Sequence, residues 1–599
     1  MNVPQNTGTA RRTDAGASSR SVTTLIVATV LLVFCALCAG YYASYETGDF
    51  PDENAHLSYV TDVAKSGFPD YREGMISTTD RLNYLPHPAL YYVSSGEILR
   101  MTGNAHGHKT IRIVNLISGI LILLIIFWSM RAMELKALAT FVGLSIPVVV
   151  PMFAVLSASI NNDPFGIVGC ALVCMAFVLF YDETRRSSAL TALLTGFAVA
   201  CLSKATAALT VSCMTAFFIV FNRQLVLEVA RNLNWKQIFA IFSSASLVVG
   251  YYIFMRWNYG AFFPAPQGDP SDWYAADNPN AARWDTLTHL FKFAESNHYT
   301  LVTPYGHARF FDLLARPYVV DFIFVAVLVL IWRASGKKAE STRPYWRLAP
   351  VLAFSFVTYL VIYFATIRSM HLETGYPGAM QARYLFGFLP IAAIMAAMGA
   401  NLLRSSAARI ATTLLFVSGL ALSFYPAYFK ILISDTVEQG KGGTDYGELT
   451  AGRRFEQTFV AKGSGITKVE LLLATYIRAN SGDIDLQVVD GGGRVMGGAS
   501  VAAKRLTDNG WTEFRLNDIA LVRGESYALR LTSKNSRPGN AITWWAAENG
   551  KRAAHSKLMD THYDPRDPEP DLFADGNAIV DGVPKRADFA FNIRFSNHD

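Results

Sequence analysis

Asp52 and Glu53 are adjacent carboxylates in the stretch Phe50-Pro-Asp-Glu-Asn-Ala-His56, just past the first long apolar run. On a helix, His56 shares a face with Asp52 four positions earlier. Such a pair has two readings. One is a helix start, with Asp52 as N-cap and Glu53 in the first turn, where negative charge is favoured. The other is acid–base chemistry, because a half-desolvated carboxylate pair at a membrane surface is costly to keep without a use. More polar residues interrupt apolar surroundings downstream. His87 lies between two prolines in Leu82-Asn-Tyr-Leu-Pro-His-Pro-Ala-Leu-Tyr-Tyr92, and Asn161-Asn-Asp163, Lys204 and Gln381-Ala-Arg-Tyr384 follow. Lys204 offers a point charge and Arg383 a planar fork, and both suit phosphate oxygens. The bland alternatives are a snorkelling lysine, an interfacial anchor made by Arg383 and Tyr384, and capping by Asp163 of a helix that opens at Pro164.

The elements that must position these residues are membrane spans. The chain has 599 residues, of which 51% are hydrophobic and 17% charged. Its apolar blocks are long enough to cross a hydrocarbon core of roughly 30 Å. They fall at 22–42, 111–130, 136–156, 164–181, 188–203, 205–222, 237–255, 317–333, 347–368, 383–403 and 407–429, about eleven spans. The first is too long for the apolar core of a cleaved signal and reads as a retained anchor behind a polar, disordered tail, 1–21. The run after His87 is too short to span and reads as an interfacial helix, with Tyr91 and Tyr92 at headgroup depth.

Charge distribution sets the sidedness. With the N-terminus cytoplasmic, Arg131, Lys136, Arg185, Arg186, Arg223, Arg231, Lys236, Arg333, Lys337, Lys338, Arg343, Arg347, Arg404 and Arg409 all lie on the cytoplasmic side. The Asp52 loop, 161–163, Lys204, the 256–316 loop and the 369–382 loop then share the opposite face. The 256–316 loop mixes Trp257, Tyr259, Trp273, Tyr274, Trp284, His298 and Tyr299 with polar groups, a composition common to sugar sites and interfacial belts. The net charge of +6 comes without a basic cluster interleaved with aromatics, so no nucleic-acid partner is expected. All six cysteines lie in apolar runs, and Cys35-x-x-Cys38 has no neighbouring ligands or aqueous approach, so neither disulfide nor metal chemistry is expected of them.

From about 450 the pattern becomes alternating and strand-length, as in Arg454-Phe-Glu-Gln-Thr-Phe-Val460 and Asp483-Ile-Asp-Leu-Gln-Val-Val489. Turn signals such as Asp490-Gly-Gly-Gly493 and Asp508-Asn-Gly510 separate the strands. This spacing predicts an antiparallel β-sandwich over 450–599. The fold class is therefore an α-helical polytopic membrane protein, 22–430, followed by an all-β sandwich outside the cytoplasm.

The order of these motifs carries a resemblance. A first span precedes an outward loop with Asp-Glu, then His-Pro-x-x-Tyr-Tyr, Arg112-Ile-Val-Asn115 at the second span, and Gln-x-Arg-Tyr-x-x-x-x-x-Pro390 late in the chain. Over 22–430 this is similar to the GT-C superfamily of membrane glycosyltransferases, which includes protein O-mannosyltransferases and lipid A aminoarabinose transferases. It most resembles an uncharacterised multi-spanning family with Pro-Asp-Glu-x-x-His and Gln-x-Arg-Tyr. Pro88-Ala89 replaces the usual Pro-Pro after the histidine. The C-terminal sandwich resembles carbohydrate-binding-like domains on such enzymes.

The resemblance implies a polyprenyl-phosphate-linked sugar donor and transfer at the periplasmic face of the inner membrane. The acceptor would be a cell-envelope glycan, lipid or protein, and the products inverted. In that scheme Asp52 is the base and Glu53 holds acceptor hydroxyls or tunes Asp52. Lys204 and Arg383 hold the phosphate, with His56, His87, Asp163 and Tyr384 completing the substrate site. Oligosaccharyltransferase relatives pair acidic first and second outer loops around a divalent metal, and Asp163 falls in the second loop here; many GT-C enzymes work without one, and no cofactor is expected. The competing readings are a flippase for lipid-linked saccharides and an O-antigen-ligase-type transferase. A flippase would place charge deep in mid-span. A ligase would concentrate polar groups in a late outer loop.

Overall fold

The computed structural model describes residues 10–44, 52–67, 87–264, 271–272, 275, 283–302, 316–334, 344–376, 378–432, 436–439, 444–476, 478–548, 573 and 576–596. Two compact units result: Met1–Gly306 with Phe310–Phe429, and His307–Arg309 with Lys430–Asp599.

The first unit is helical, and each expected span falls on a helix. The long run before Asp52 is α1 (Ala10–Ser44), which takes in residues 10–21 of the expected disordered tail. Once a long apolar helix exists, extending it costs little, and alanine, arginine and serine do not stop it. Then come α2 (Glu53–Ser66), α3 (Leu90–Thr102), α4 (Asn104–Ala132), α5 (Ala137–Val148), α6 (Pro151–Ala158), α7 (Asp163–Leu179), α8 (Arg186–Ser203), α9 (Ala205–Phe221), α10 (Arg223–Arg231) and α11 (Trp235–Tyr259). Helices Thr286–Val302, Arg316–Ala334, Leu348–Thr374, Leu389–Asn401 and Ser406–Leu432 complete the unit.

Among the described residues, seven helices are long and apolar enough to cross a membrane, or nine if each of two bent pairs is one span. The expectation of eleven also needs the shorter apolar helices Asp163–Leu179 and Phe322–Arg333. The count is softened by proline: Pro147 and Pro151 break the expected 136–156 span into α5 and α6, bent by 65°. Without its N–H and with its ring against the preceding turn, proline cannot continue the hydrogen-bond ladder.

In helix α3, Tyr91 and Tyr92 are fully buried against neighbouring helices. Tyr92 stacks on Tyr59 of α2 with ring centroids 3.8 Å apart.

The second unit is an antiparallel sandwich, as the alternation predicted. One sheet runs Thr436–Gln439, Phe591–Ser596, Gly465–Ala474, Gly510–Ala520, with Thr543–Trp544 also paired to Gly465–Ala474. The other runs Val583–Pro584, Ala578–Val580, Arg454–Val460, Ser526–Ser533, Asp483–Asp490, Val495–Ala502. Inward-facing residues of both, including Phe455, Leu471, Leu486, Phe514, Leu531 and Phe591, share one core. The strand Thr436–Gln439 pairs with Phe591–Asn592-Ile593-Arg594, so the sheet begins upstream of 450.

Candidate active site

The site begins with a helical hairpin. Helices α7 and α8 approach closely because glycines face each other: a Cβ on Gly169 would lie 2.5 Å from the Ala200 nitrogen and 2.6 Å from the Gly196 oxygen. Small residues let helix backbones meet inside a membrane. The hairpin brings the first residue of α7, Asp163, beside the residue that follows α8, Lys204. Lys204 has extended backbone angles (φ −156°, ψ 131°) and interrupts the helix before α9. Its Nζ lies 2.7 Å from Asp163 Oδ1, with both side chains almost wholly buried. Lys204 is thus an internal charge, and the snorkelling alternative does not apply.

Arg383 enters from a different part of the chain. It sits in the 3-10 turn Ala382–Phe388 and is 5% exposed. Two tyrosines one turn apart on Leu348–Thr374 fix this segment: Tyr359 donates to the Tyr384 carbonyl at 2.7 Å and Tyr363 to the Ala379 carbonyl at 2.9 Å. Helix Thr286–Val302 braces it from the other side, where Thr300 Oγ1 accepts from the Ala382 N–H at 2.8 Å and Ser296 donates to the Met380 carbonyl at 2.6 Å. Arg383 Nη2 donates to Asp52 Oδ2, and Arg383 Nη1 lies 4.0 Å from Asp163 Oδ2. The Tyr384 ring lies under both cations, 5.5 Å from Lys204 Nζ and 5.4 Å from the Arg383 guanidinium.

Asp52 occupies the N-cap position of α2 but makes no capping hydrogen bond from its side chain. Its φ of 63° is left-handed, whereas a capping residue has β-region angles. The carboxylate is turned to Arg383, so the helix-cap reading fails for its side chain.

Glu53 does not fit the role of acceptor ligand. It is 0% exposed, and Arg112 donates to it from Nε (2.8 Å, Oε1) and Nη2 (2.7 Å, Oε2). The Ile160 N–H also donates to Oε1 at 2.8 Å. This bidentate pair ties α2 to α4 and to the turn after α6, which makes Glu53 a positioning residue. Asn115, three residues after Arg112, continues the brace by donating to the Ser159 and Asn161 carbonyls at 2.6 and 2.9 Å. Arg112 and Asn115, which the motif Arg112-Ile-Val-Asn115 carries without a role, thus form the brace behind the site.

His56 Nδ1 lies 2.7 Å from the Tyr92 hydroxyl, and the His56 and His87 rings stack with centroids 5.9 Å apart. Burial pushes the His87 imidazole down to about 3, helped by the Lys204 and Arg383 cations and opposed by Asp52. His56 is held well below its usual range, first by burial and then by His87. Both rings are neutral near pH 7.

The described residues thus bring Asp52, Asp163, Lys204 and Arg383 together, with His56, His87 and Tyr384 packed around them and Glu53 behind. The described segments around Asp52, Asp163, Lys204 and Arg383 meet in one cluster. Among the described residues, Asp163 Oδ2, Asn162 Oδ1 and Ser203 Oγ are buried without a hydrogen-bond partner. Such atoms are what a polar ligand or water satisfies. Among the described residues no three His, Cys, Asp or Glu side chains converge as a metal ion would require; Arg383 reaches toward both Asp52 and Asp163 instead. Trp273, Tyr274 and the side chain of Tyr299, noted in the 256–316 loop, lie outside the described residues.

Residues 90–249, from α3 into α11, match the family model for dolichyl-phosphate-mannose-protein mannosyltransferase. No curated protein matches the chain. Among solved structures, the chain is similar to the crystal structure of ArnT from Cupriavidus metallidurans bound to undecaprenyl phosphate, at 15% identity and a TM-score of 0.42. That likeness covers 67% of this chain and 62% of the ArnT chain, so the chain spans less than two thirds of that relative. It is also similar to the cryo-EM structure of arabinosyltransferase EmbB from Mycobacterium smegmatis, at 11% identity and a TM-score of 0.32, over 100% of this chain and 76% of EmbB. The mannosyltransferase family match lies within the helical unit and covers part of it, residues 90–249.

Proposed function

We propose that this protein transfers a sugar from a polyprenyl-phosphate-linked donor to a cell-envelope glycan, lipid or protein, at the periplasmic face of the inner membrane. The observation that supports it most is the convergence, from four separate segments, of two carboxylates and two cations: Asp52, Asp163, Lys204 and Arg383. Arg383 and Lys204 hold the donor phosphate, which competes with the carboxylates for them. Losing Arg383 to phosphate releases Asp52 as a base. The acceptor oxygen then bonds to the anomeric carbon and its proton passes to Asp52. The bond from the anomeric carbon to the phosphate oxygen breaks, and the lipid phosphate leaves with the electron pair, stabilised by the cations. A single displacement inverts the anomeric centre.

In this reading the N-terminus is cytoplasmic, the loops 43–110 and 256–316 are periplasmic, and 450–599 is a periplasmic carbohydrate-binding domain. An alkaline phosphatase fused after Asp435 is then active, and a cytoplasmic reporter there is silent.

The test of the activity is radiolabelled transfer from a panel of polyprenyl-phosphate sugars to cell-envelope extracts, with purified protein in proteoliposomes. Transfer that depends on Asp52 supports the proposal. Translocation of the lipid-linked sugar without transfer would make the protein a flippase.

A further inference from the structure

At the end of α9 remote from Lys204 lies a second built feature. The seventeen residues of α9 put it about 25 Å from the cluster described above. Two adjoining cavities, of about 710 and 360 Å³, share Gln224, Trp346 and Arg347 in their walls. Arg223, Phe221 and Pro350 line the smaller one, and Tyr181 and Glu228 the larger.

The charge of this groove is unbalanced. Arg347 is half-buried with its guanidinium 5.9 Å from the Trp346 ring, Arg223 is exposed, and among the described residues neither side chain makes a hydrogen bond or ion pair. Among the described residues Glu228 is the only carboxylate in the walls, and Arg186 pairs with it at 2.8 Å. The groove also sits at the 3-10 turn Tyr345–Arg347 that opens the long helix Leu348–Thr374. A helix start favours an anion, and here it coincides with two arginines that pair with no carboxylate among the described residues. The helix α10 turns by 92° from α9, as a segment lying along a membrane surface does. Trp346 and Phe221 give the groove an aromatic and apolar side, which suits a ligand with a charged head and an acyl body.

We infer that the groove between α10 and the Tyr345–Arg347 turn binds the phosphate headgroup of an anionic bilayer phospholipid, on the membrane face opposite the Asp52 cluster. Arg223 and Arg347 hold the phosphate, and the glycerol and upper acyl chain lie against Trp346, Phe221 and Pro350. The inference is independent of glycosyl transfer, because its readout is lipid binding.

The experiment is native mass spectrometry of the purified full chain with phosphatidylglycerol and phosphatidylcholine of matched acyl chains. The wild type is expected to retain phosphatidylglycerol preferentially, and R223Q/R347Q to lose that preference by about tenfold or more, in line with roughly 1 kcal/mol per basic residue near an anionic surface. R347K, which keeps the charge, retains part of it. Should the double variant fail to fold, R223Q alone carries the comparison, with tryptophan quenching by brominated phosphatidylglycerol as a second readout. Equal retention of the two lipids by the wild type, or an unchanged preference in the folded variants, overturns the inference. Inorganic phosphate bound by the wild type as tightly as phosphatidylglycerol overturns it too, since the glycerol and acyl body would then contribute nothing.

Discussion

Arg383 donates a hydrogen bond to Asp52 across 331 positions of sequence, joining the turn before a late span to the N-terminus of α2. The pair is an ionic contact between a proposed base and a proposed phosphate ligand. In the proposed mechanism it sets the order of events: Arg383 passes to the phosphate before Asp52 takes the acceptor proton.

Replacing Asp52 with Asn keeps an acceptor for Arg383 and removes the proton acceptor. Turnover is expected to fall by about 10²–10⁴, the usual contribution of a positioned base, with donor binding nearly intact. The measurement is transfer rate per folded protein, and near-wild-type turnover in Asp52→Asn ends the catalytic reading.

Glu53→Gln is expected to act through stability. It leaves Arg112, which is 4% exposed, without its charged partner. Breaking one side of a buried pair costs about 3–5 kcal/mol. Thermal unfolding in detergent reads this, and Glu53→Gln combined with Arg112→Gln is expected to recover part of the loss. An unaltered melting temperature in the single variant would show the pair to be dispensable.

Arg383→Ala and Lys204→Ala are each expected to raise the KM for the lipid donor. A hydrogen bond to a charged group is worth about 1.5–3 kcal/mol, so the rise is roughly ten- to a hundredfold. Lys204→Ala also strands Asp163, so folded protein must be normalised in the assay. Donor kinetics that stay put in both variants would remove the phosphate role.

Acid is expected to destabilise the helical unit through His56 and His87. The unfolded chain protonates a histidine near 6.5, whereas His87 in the fold resists until about 3. Between those values the unfolded state binds more protons, so stability rises with pH across the window. The contribution is complete above about pH 6.5 and fades on acidification. His87→Asn flattens the dependence; a melting temperature that is level from pH 7 to pH 4 in the wild type would contradict it.

The sandwich is expected to fold alone only if its fragment starts early enough. A fragment beginning at Lys430 keeps Thr436–Gln439, which covers the edge of Phe591–Ser596, and the Thr444 bridge to Ala546. One beginning at Gly447 exposes that edge as a template for aggregation. Solubility and melting temperature of the two fragments decide it; equal behaviour would make the first strand incidental.

The helices and the sandwich were legible in the sequence, because these follow from local terms. Apolar blocks of span length and alternation with period two need no knowledge of distant residues. The sequence also flagged Asp52, Asp163, Lys204 and Arg383, since a charge amid apolar residues stands out in one dimension. Only the tertiary structure decided who pairs with whom. Asp52 and Glu53 are neighbours in sequence, yet one is turned by a left-handed φ to Arg383 and the other is sealed against Arg112. Helix Thr286–Val302 and the tyrosine pair Tyr359 and Tyr363 have meaning only through the Ala382–Phe388 turn they brace. Hydrogen bonds and ion pairs act over a few ångströms, and which groups come within that range is fixed by the packing of whole helices, down to the glycine contact that sets Asp163 beside Lys204.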